Sequence, residues 1–498
     1  MSKVGLVLFV KNEIRDIYFW ISWHLSCGFD ELIIFDDYSD DGTYELLSMI
    51  SEEFPVKLFR AEPGHAFNIR QRNTYVKAIE ISKKEFDWVL VLDSDEYLNL
   101  KNHTNVKDFL NDYDDFSGIA INWCCYGSSN HLVYPTSPNV FTNYISHSEI
   151  DFEYSCVPKS FFRPKNTNAN YINPHRFDVD GNYVNVEKKD VVWSEEKDAE
   201  LLLPPVWEIA TINHYITRSC EHFLEKYRRR VDIRNSGMGI SLFNYLDQNH
   251  IREEKDIEVY AKAYRFIFEI QNLIHRKLSN QLLKNDIFKS LIGFAFSHAP
   301  MLEDKFYDLR SHHGSHLCID RATRFLTHAD VITSEHERIV CFESKYLPGT
   351  LFIFPSETLN YIAAKFEERV SIIQSYAITD IWNKDLSLVN QLTQRVMCCV
   401  SGNFSGNVEV DRNFVSNWER FTCDEIERPQ SDHVAFIIHI IDDVLRRLRS
   451  GEPLPEQIDP DIFAFIWSLL PFETLQTLFT LSGFCHVSWM RPQRRFAI

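Results

Sequence analysis

"VLVLDSDEYL" (Val89–Leu98) sets a short apolar run against three carboxylates within four positions, Asp93, Asp95 and Glu96. A run of this length, free of helical periodicity, suits a buried strand. Three more apolar runs read the same way: "VGLVLFV" (4–10), "ELIIFDD" (31–37) and "VKLFRAE" (56–62). Between them lie helical patterns: "IRDIYFWISWHLSCGF" (14–29), "DGTYELLSMISEEF" (41–54) and "IRQRNTYVKAIEISKKEF" (69–86). Strands alternating with helices at this spacing predict an α/β fold with a parallel, doubly wound sheet. Ligands of such sheets bind beyond the carboxyl ends of the strands, and the acids stand at those ends.

The 498 residues exceed one ordinary domain. From Asp114 to about Ala210 the pattern is irregular and β-rich. "EIATINHYITRS" (208–219) then reads as a strand leading into the helix "CEHFLEKYRRRVD" (220–232). Residues 235–250 read as a connector. Beyond them, from "IEVYAKAYRFIFEIQNLIHRKL" onward, the chain reads as mainly α-helical, with one short α/β passage near residues 338–370. The expected organisation is a domain over residues 1–235 and a mainly helical region over 250–498 whose role the sequence does not assign.

The net charge is −19, and residues 1–250 hold 25 Lys and Arg against 38 Asp and Glu. Nucleic-acid binding is disfavoured, because neutralising phosphates needs a basic face. The 11 cysteines form no CxxC pair and no disulfide framework, which fits a reducing cytoplasm. No apolar stretch reaches the roughly 18 residues of a spanning helix. The helix "VAFIIHIIDDVLRRLRSG" (434–451) and the aromatic "DIFAFIWSLLPFETLQTLFTLSGF" (461–484) suggest a homodimer contact or a peripheral one at the inner membrane face.

Asp93 and Asp95, at i and i+2 of an extended segment, would share one face. Two carboxylates there repel unless a cation joins them, and an oxygen-lined edge suits Mg²⁺ or Mn²⁺. A helix cap at Asp95 is the structural alternative. "FDDYSDDGT" (35–43) ends a second strand in acids. Asp41 and Thr43 read as turn and cap residues, leaving Asp36 and Asp37 as the functional candidates. "VKNE" (10–13) ends a third strand in a polar turn.

Together these motifs resemble glycosyltransferases of the GT-A fold. Asn12-Glu13 and the Asp36-Asp37-Tyr38-Ser39-Asp40-Asp41-Gly42-Thr43 run are similar to family 2. The longer series, with "DWVLVLDSDEYL", "INWCCYGSSNH", "VPKSFFRP" and "INHYITRSCEHFLEKYRRR", is closer to the family 92-like branch, over about residues 1–235. The resemblance implies a nucleotide-sugar donor, a UDP-sugar, and a divalent cation on its diphosphate. It implies Asp93 and Asp95 as the family's DxD, with His214 completing the metal site. It places Asn12, Glu13, Asp36 and Asp37 beside the nucleotide, and Lys159 in the same cleft. Arg218 and Lys226 would neutralise the leaving diphosphate.

Inverting transfer needs one general base for the acceptor hydroxyl. "SEIDFEYSCVPK" (148–159) offers Glu149, Asp151 and Glu153, which would share one face of a strand; Asp151 is the chosen candidate. The acceptor would be a glycan or a lipid-linked hydroxyl. A sugar nucleotidyltransferase is disfavoured, since "LVLFVKNEIRD" has no glycine-rich phosphate loop. A non-catalytic carbohydrate- or nucleotide-binding module is the remaining alternative.

Overall fold

The structure, a computed structural model, describes the chain apart from residues 1, 136–138, 198, 230–238, 254–256, 283–302, 365–371, 383–384, 391–395, 401–405, 413, 451 and 453–498. It divides into two compact units, Met1–Lys255 and Asp256–Ile498.

The first unit opens with β1 (Val4–Val10), α1 (Ile17–Ser26), β2 (Glu31–Asp36), α2 (Thr43–Ser51), β3 (Val56–Arg60), α3 (Phe67–Glu85) and β4 (Trp88–Leu92). Then come β5 (Glu96–Leu100), α4 (Val106–Asn111), β6 (Gly118–Cys125), α5 (Val140–Asn143), β7 (Ser146–His147), β8 (Pro158–Phe162), β9 (Thr167–Asn173), β10 (Arg176–Val179), β11 (Tyr183–Asn185), β12 (Ala210–His214), α6 (Cys220–Arg229), α7 (Ile240–Leu246) and β13 (Ile251–Arg252). The main sheet runs β3-β2-β1-β4-β8-β6-β12-β5, with β11 beside β6.

The expected parallel alternation forms over β3-β2-β1-β4. Val10 pairs with Asp36 and Leu8 with Leu92, so β1, β2 and β4 release their chains at one edge. The sheet is mixed beyond β4. The chain leaving β6 comes back to the same edge, Pro158 opposite Asn122, so β8 runs antiparallel to both its neighbours. One face packs Val7, Phe9, Ile33, Phe35, Val91 and Phe162 against Tyr75, Ala78 and Ile79 of α3.

α1 is buried from Ile17 to Leu25. β5 ends the sheet and has β12 on one side only, so its other backbone edge needs partners. Side chains of α1 supply them. Trp20 Nε1 donates to the Glu96 carbonyl at 2.9 Å and the Asp93 carbonyl at 3.1 Å. Trp23 Nε1 donates to the Leu98 carbonyl at 2.8 Å, and the Leu98 amide donates to His24 Nε2 at 3.3 Å.

"VLVLDSDEYL" is therefore two strands and a turn. Asp93–Asp95 form the turn, closed by the Glu96 amide donating to the Asp93 carbonyl at 3.1 Å. The extended alternation expected for Asp93 and Asp95 does not exist, and a helix cap is excluded because β5 follows. Asp93 and Asp95 fall in the turn, while Glu96 opens β5 with its buried carboxylate against Lys159.

The second unit corrects the helical expectation. Among its described residues, ten strands between Lys305 and Ile426 form one sheet, and every pairing in it is antiparallel. Helix α8 (Ile257–Leu282) precedes this sheet and α9 (Asp432–Ser450) follows it. Its core gathers Leu309, Leu317, Ile319, Leu351, Ile353, Tyr376, Leu388, Met397, Val408 and Phe421. In α9 the apolar stripe from Val434 to Leu448 is buried, and Phe436 is left exposed. The segment 461–484 lies outside the described residues. Among the described residues no helix is long and apolar enough to cross a membrane.

Candidate functional site

The polar turns at the carboxyl edge are locked to one another. The Asn12 amide donates to Ser39 Oγ at 2.9 Å, and Asn12 Nδ2 donates to Asp40 Oδ1 at 2.7 Å. The Glu13 amide donates to Thr43 Oγ1 at 2.9 Å and the Ile14 amide to Asp41 Oδ2 at 3.1 Å. Asp41 also accepts from the Thr43 amide, while Gly42, at φ 100°, takes the helix N-cap position that the sequence suggested for Asp41 or Thr43.

Asp36 and Asp37 are fully buried and each faces an arginine. Asp37 takes Arg70 in a bidentate pair at 2.5 and 2.7 Å. Asp36 Oδ2 binds Arg60 and accepts from the Ser39 amide at 3.1 Å, while its buried Oδ1 has no protein partner.

The Asp93–Glu96 turn meets three cations. Lys159, on β8 and wholly buried, donates to Asp93 Oδ2 at 2.9 Å and lies 3.1 Å from Glu96 Oε2. Its ammonium is taken up by these two carboxylates, of which Asp93 is partly exposed. Burial works against charging Lys159, but Asp93 and Glu96 outweigh it and hold the ammonium above the usual lysine range. Burial drives Glu96 up to about 8, against the pull of Lys159. Glu96 Oε2 also accepts from the Asp93 amide at 2.8 Å, so it fixes the turn from inside.

Arg218 is the second cation. It is 2% exposed, in the left-handed region at φ 50°, and its guanidinium binds Glu13 at 3.0 Å, Asp16, and the Ser94 carbonyl at 3.0 Å. It ties the Asn12-Glu13 turn and the start of α1 to the Asp-Ser-Asp turn through its two terminal nitrogens, and its buried Nε has no protein partner among the described residues. Burial raises the Glu13 pKa against the opposing charge of Arg218.

Lys226, on α6, is the third. Its Nζ lies 2.6 Å from Asp95 Oδ2. His214 Nε2 stands 3.8 Å from Asp95 Oδ1. Burial opposes ionisation of Asp95, but Lys226, His214 and Arg218 together hold its carboxyl well below the carboxylate range. Burial lowers His214 to about 4, so the imidazole is neutral at neutral pH, and its buried Nδ1 has no protein partner. Trp123 packs on the His214 ring at 4.1 Å between centroids.

Sequence reasoning missed His175. It follows Pro174 in the hairpin between β9 and β10, and its ring stands 5.2 Å from Trp123. Its Nδ1 meets the Pro158 carbonyl at 3.0 Å, which requires the proton on Nδ1 and leaves Nε2 as the acceptor. Asn-Pro ahead of His175 is the turn signal that could have marked it.

Glu149, Asp151 and Glu153 are exposed and do not share a strand face. Glu149 and Asp151 lie around a turn, and Glu153 begins a 3₁₀ helix through Cys156. Among the described residues no contact joins them to Asp93, Asp95 or His214.

A divalent cation can be tested against these residues. Among the described residues, no three His, Cys, Asp or Glu stand together as a metal group. In this structure Asp93 pairs with Lys159 and Asp95 with Lys226. Asp95 and His214 do fit: a carboxylate oxygen faces a neutral imidazole, and Mg²⁺ and Mn²⁺ commonly take few protein ligands, completing their shell with phosphates and water.

A family model described as Glycosyltransferase family 92 matches residues 6–197. Among solved structures, S. aureus TarS is 10% identical, the match covering 86% of this chain and 86% of that one at a TM-score of 0.25. Glucosyl-3-phosphoglycerate synthase from Mycobacterium tuberculosis, in complex with Mn²⁺, uridine diphosphate and phosphoglyceric acid, is 15% identical. That match covers 33% of this chain and 56% of the other, at a TM-score of 0.21. No curated protein matches the chain. Residues 6–197 thus resemble a glycosyltransferase family 92 domain, and that resemblance supports a transferase.

Proposed function

We propose that the first unit transfers a sugar, with inversion, from a UDP-sugar to a hydroxyl of a glycan or lipid-linked acceptor, with Mn²⁺ or Mg²⁺ at its donor site. The observation that carries this reading is Asp95 beside a neutral His214 at the carboxyl edge of the sheet. Asp95 and His214 would hold the cation, which when bound supplies charge for the departing diphosphate. Asp93 keeps the turn in place through Lys159 and Glu96.

Asp36 keeps one buried oxygen for a hydroxyl or N–H of the nucleoside, with the Asn12-Glu13 turn beside it. Lys226, partly exposed, serves the diphosphate. Asp151 remains our candidate base, free in an exposed turn to meet an acceptor. A general base contributes about 10²–10⁴ in rate, so Asp151→Asn should lower kcat in that range with donor affinity unchanged. The free thiols of the ten described cysteines support a reducing, cytoplasmic setting. Any membrane contact would be peripheral.

A hydrolysis and transfer screen across nucleotide-sugars, with and without Mn²⁺, tests the reading. UDP-sugar turnover that needs Mn²⁺ and disappears in Asp95→Ala is expected. Nucleotide binding without turnover on any acceptor would instead mark a binding module.

A further inference from the structure

The two lysines on the acidic turn differ in kind. Lys159 projects from a central strand, is wholly buried, and touches two carboxylates. Lys226 projects from a helix, its side chain is 21% exposed, and its ammonium meets Asp95 alone among the described carboxylates. Lys159 is an internal counter-ion that cannot leave without stranding the wholly buried Glu96 and crossing the packed interior. Lys226 can leave, because water awaits it outside.

Charge balance gives that departure a reason. Asp95 with Lys226 is neutral, and so Asp95 has no spare charge for a divalent cation. A cation of charge +2 together with Asp95 and the two negative charges of a UDP-sugar diphosphate leaves one negative charge over. The ammonium released from Asp95 cancels it. Arg218 is less suited to this, since the carboxylates of Glu13 and Asp16 already balance its charge.

We infer that Lys226 is an exchangeable occupant of the Asp95 carboxylate, displaced by the divalent cation and passed to the donor diphosphate, so that cation and donor load together. This inference rests on the cation site proposed above. Two consequences separate it from a fixed structural ion pair. Without nucleotide, the wild-type chain should bind the cation weakly, because Lys226 competes for Asp95. With nucleotide, the displaced ammonium gains a new partner and the competition ends.

The test is Mn²⁺ binding to the full chain, read from the free-ion paramagnetic resonance signal. Lys226→Met and Lys226→Gln should each bind Mn²⁺ at least tenfold more tightly than wild type in the absence of nucleotide. Lys83→Met removes an equal charge from an outlying pair with Glu80 and should bind as wild type does. UDP should tighten Mn²⁺ binding in the wild type and much less in the Lys226 variants. In the wild type, Mn²⁺ with UDP should change the acetylation rate of Lys226 at least threefold and leave Lys159 unlabelled. Equal Mn²⁺ affinity in wild type and both Lys226 variants would overturn the exchange while leaving the cation site standing. No Mn²⁺ bound by any of these proteins, with or without UDP, would remove both.

Discussion

Asp93 and Asp95 are two residues apart and have opposite attachments. Asp93, itself partly exposed, is held by the buried Lys159 beside Glu96, whereas the nearly buried Asp95 faces a partly exposed lysine and an imidazole. Asp93→Ala leaves Lys159 short of a partner and should cost about 1–3 kcal/mol in urea unfolding. Asp95→Ala should cost less than about 1 kcal/mol and abolish Mn²⁺ binding; the reverse order of stability would refute the assignment. His24 makes a second prediction. Burial lowers it to about 3, and its bonds to the Trp20 carbonyl and the Leu98 amide require one protonated and one bare nitrogen. A folded pKa below the unfolded value of about 6.5 gives stability that is present above pH 6.5 and lost as pH falls towards 3. The melting temperature should fall between pH 6 and 4, and His24→Leu should flatten that slope while costing about 1–3 kcal/mol throughout, from the stranded Leu98 amide. The acids themselves were legible in the sequence, as was their place at a strand end. Their partners were not, because Lys159 and Lys226 reach Asp93 and Asp95 across 66 and 131 positions of chain, and Arg218 reaches the Ser94 carbonyl between them across 124.

At the scale of elements, the first four parallel strands and three helices were readable because continuous apolar runs and 3.6-residue periods report local burial. The division of "VLVLDSDEYL" between two strands was hidden. Leu92 and Glu96 pair with different neighbours, and nothing local tells that β5 belongs beside β12. The strands of the second unit were hidden for a related reason. Lys305–Ser311 buries only Phe306, Leu309 and Ser311, a pattern that fits no clean alternation and that antiparallel neighbours far along the chain complete. α1 supports β5 through side chains in place of a strand. Trp20→Phe keeps the packing and removes two bonds to the turn, so it should cost about 1–2 kcal/mol and weaken Mn²⁺ affinity, as measured by denaturation and metal titration. Unchanged Mn²⁺ affinity would show that the Asp93 carbonyl needs no such support.

Over the whole molecule, the expected helical half proved to be a sheet with its own core. The first unit likewise carries its own core, and the residues proposed to act in transfer all lie within it. Residues 1–255 produced alone should therefore melt cooperatively and bind UDP within about threefold of the full chain. Loss of the folded state in that fragment would show that the second unit is needed for stability.

The sheet order has one more consequence. β4 and β5 are joined by only three residues yet stand four places apart in the sheet. Laid flat, those places would span about 19 Å, while the chain from Leu92 to Glu96 reaches about 14 Å at most. The sheet must curl for the chain to connect, and the acidic turn is the strap across the curl. That strap can tighten only after β12 has found β5, a pairing of Ala210 with Leu100 that is slow to form because of its separation in sequence. Folding order then protects the chain: Asp95 and His214 meet only when nearly all of the first unit is in place. In refolding from urea, Mn²⁺ uptake should trail the recovery of far-ultraviolet dichroism. Uptake that keeps pace with dichroism would place the strap early instead.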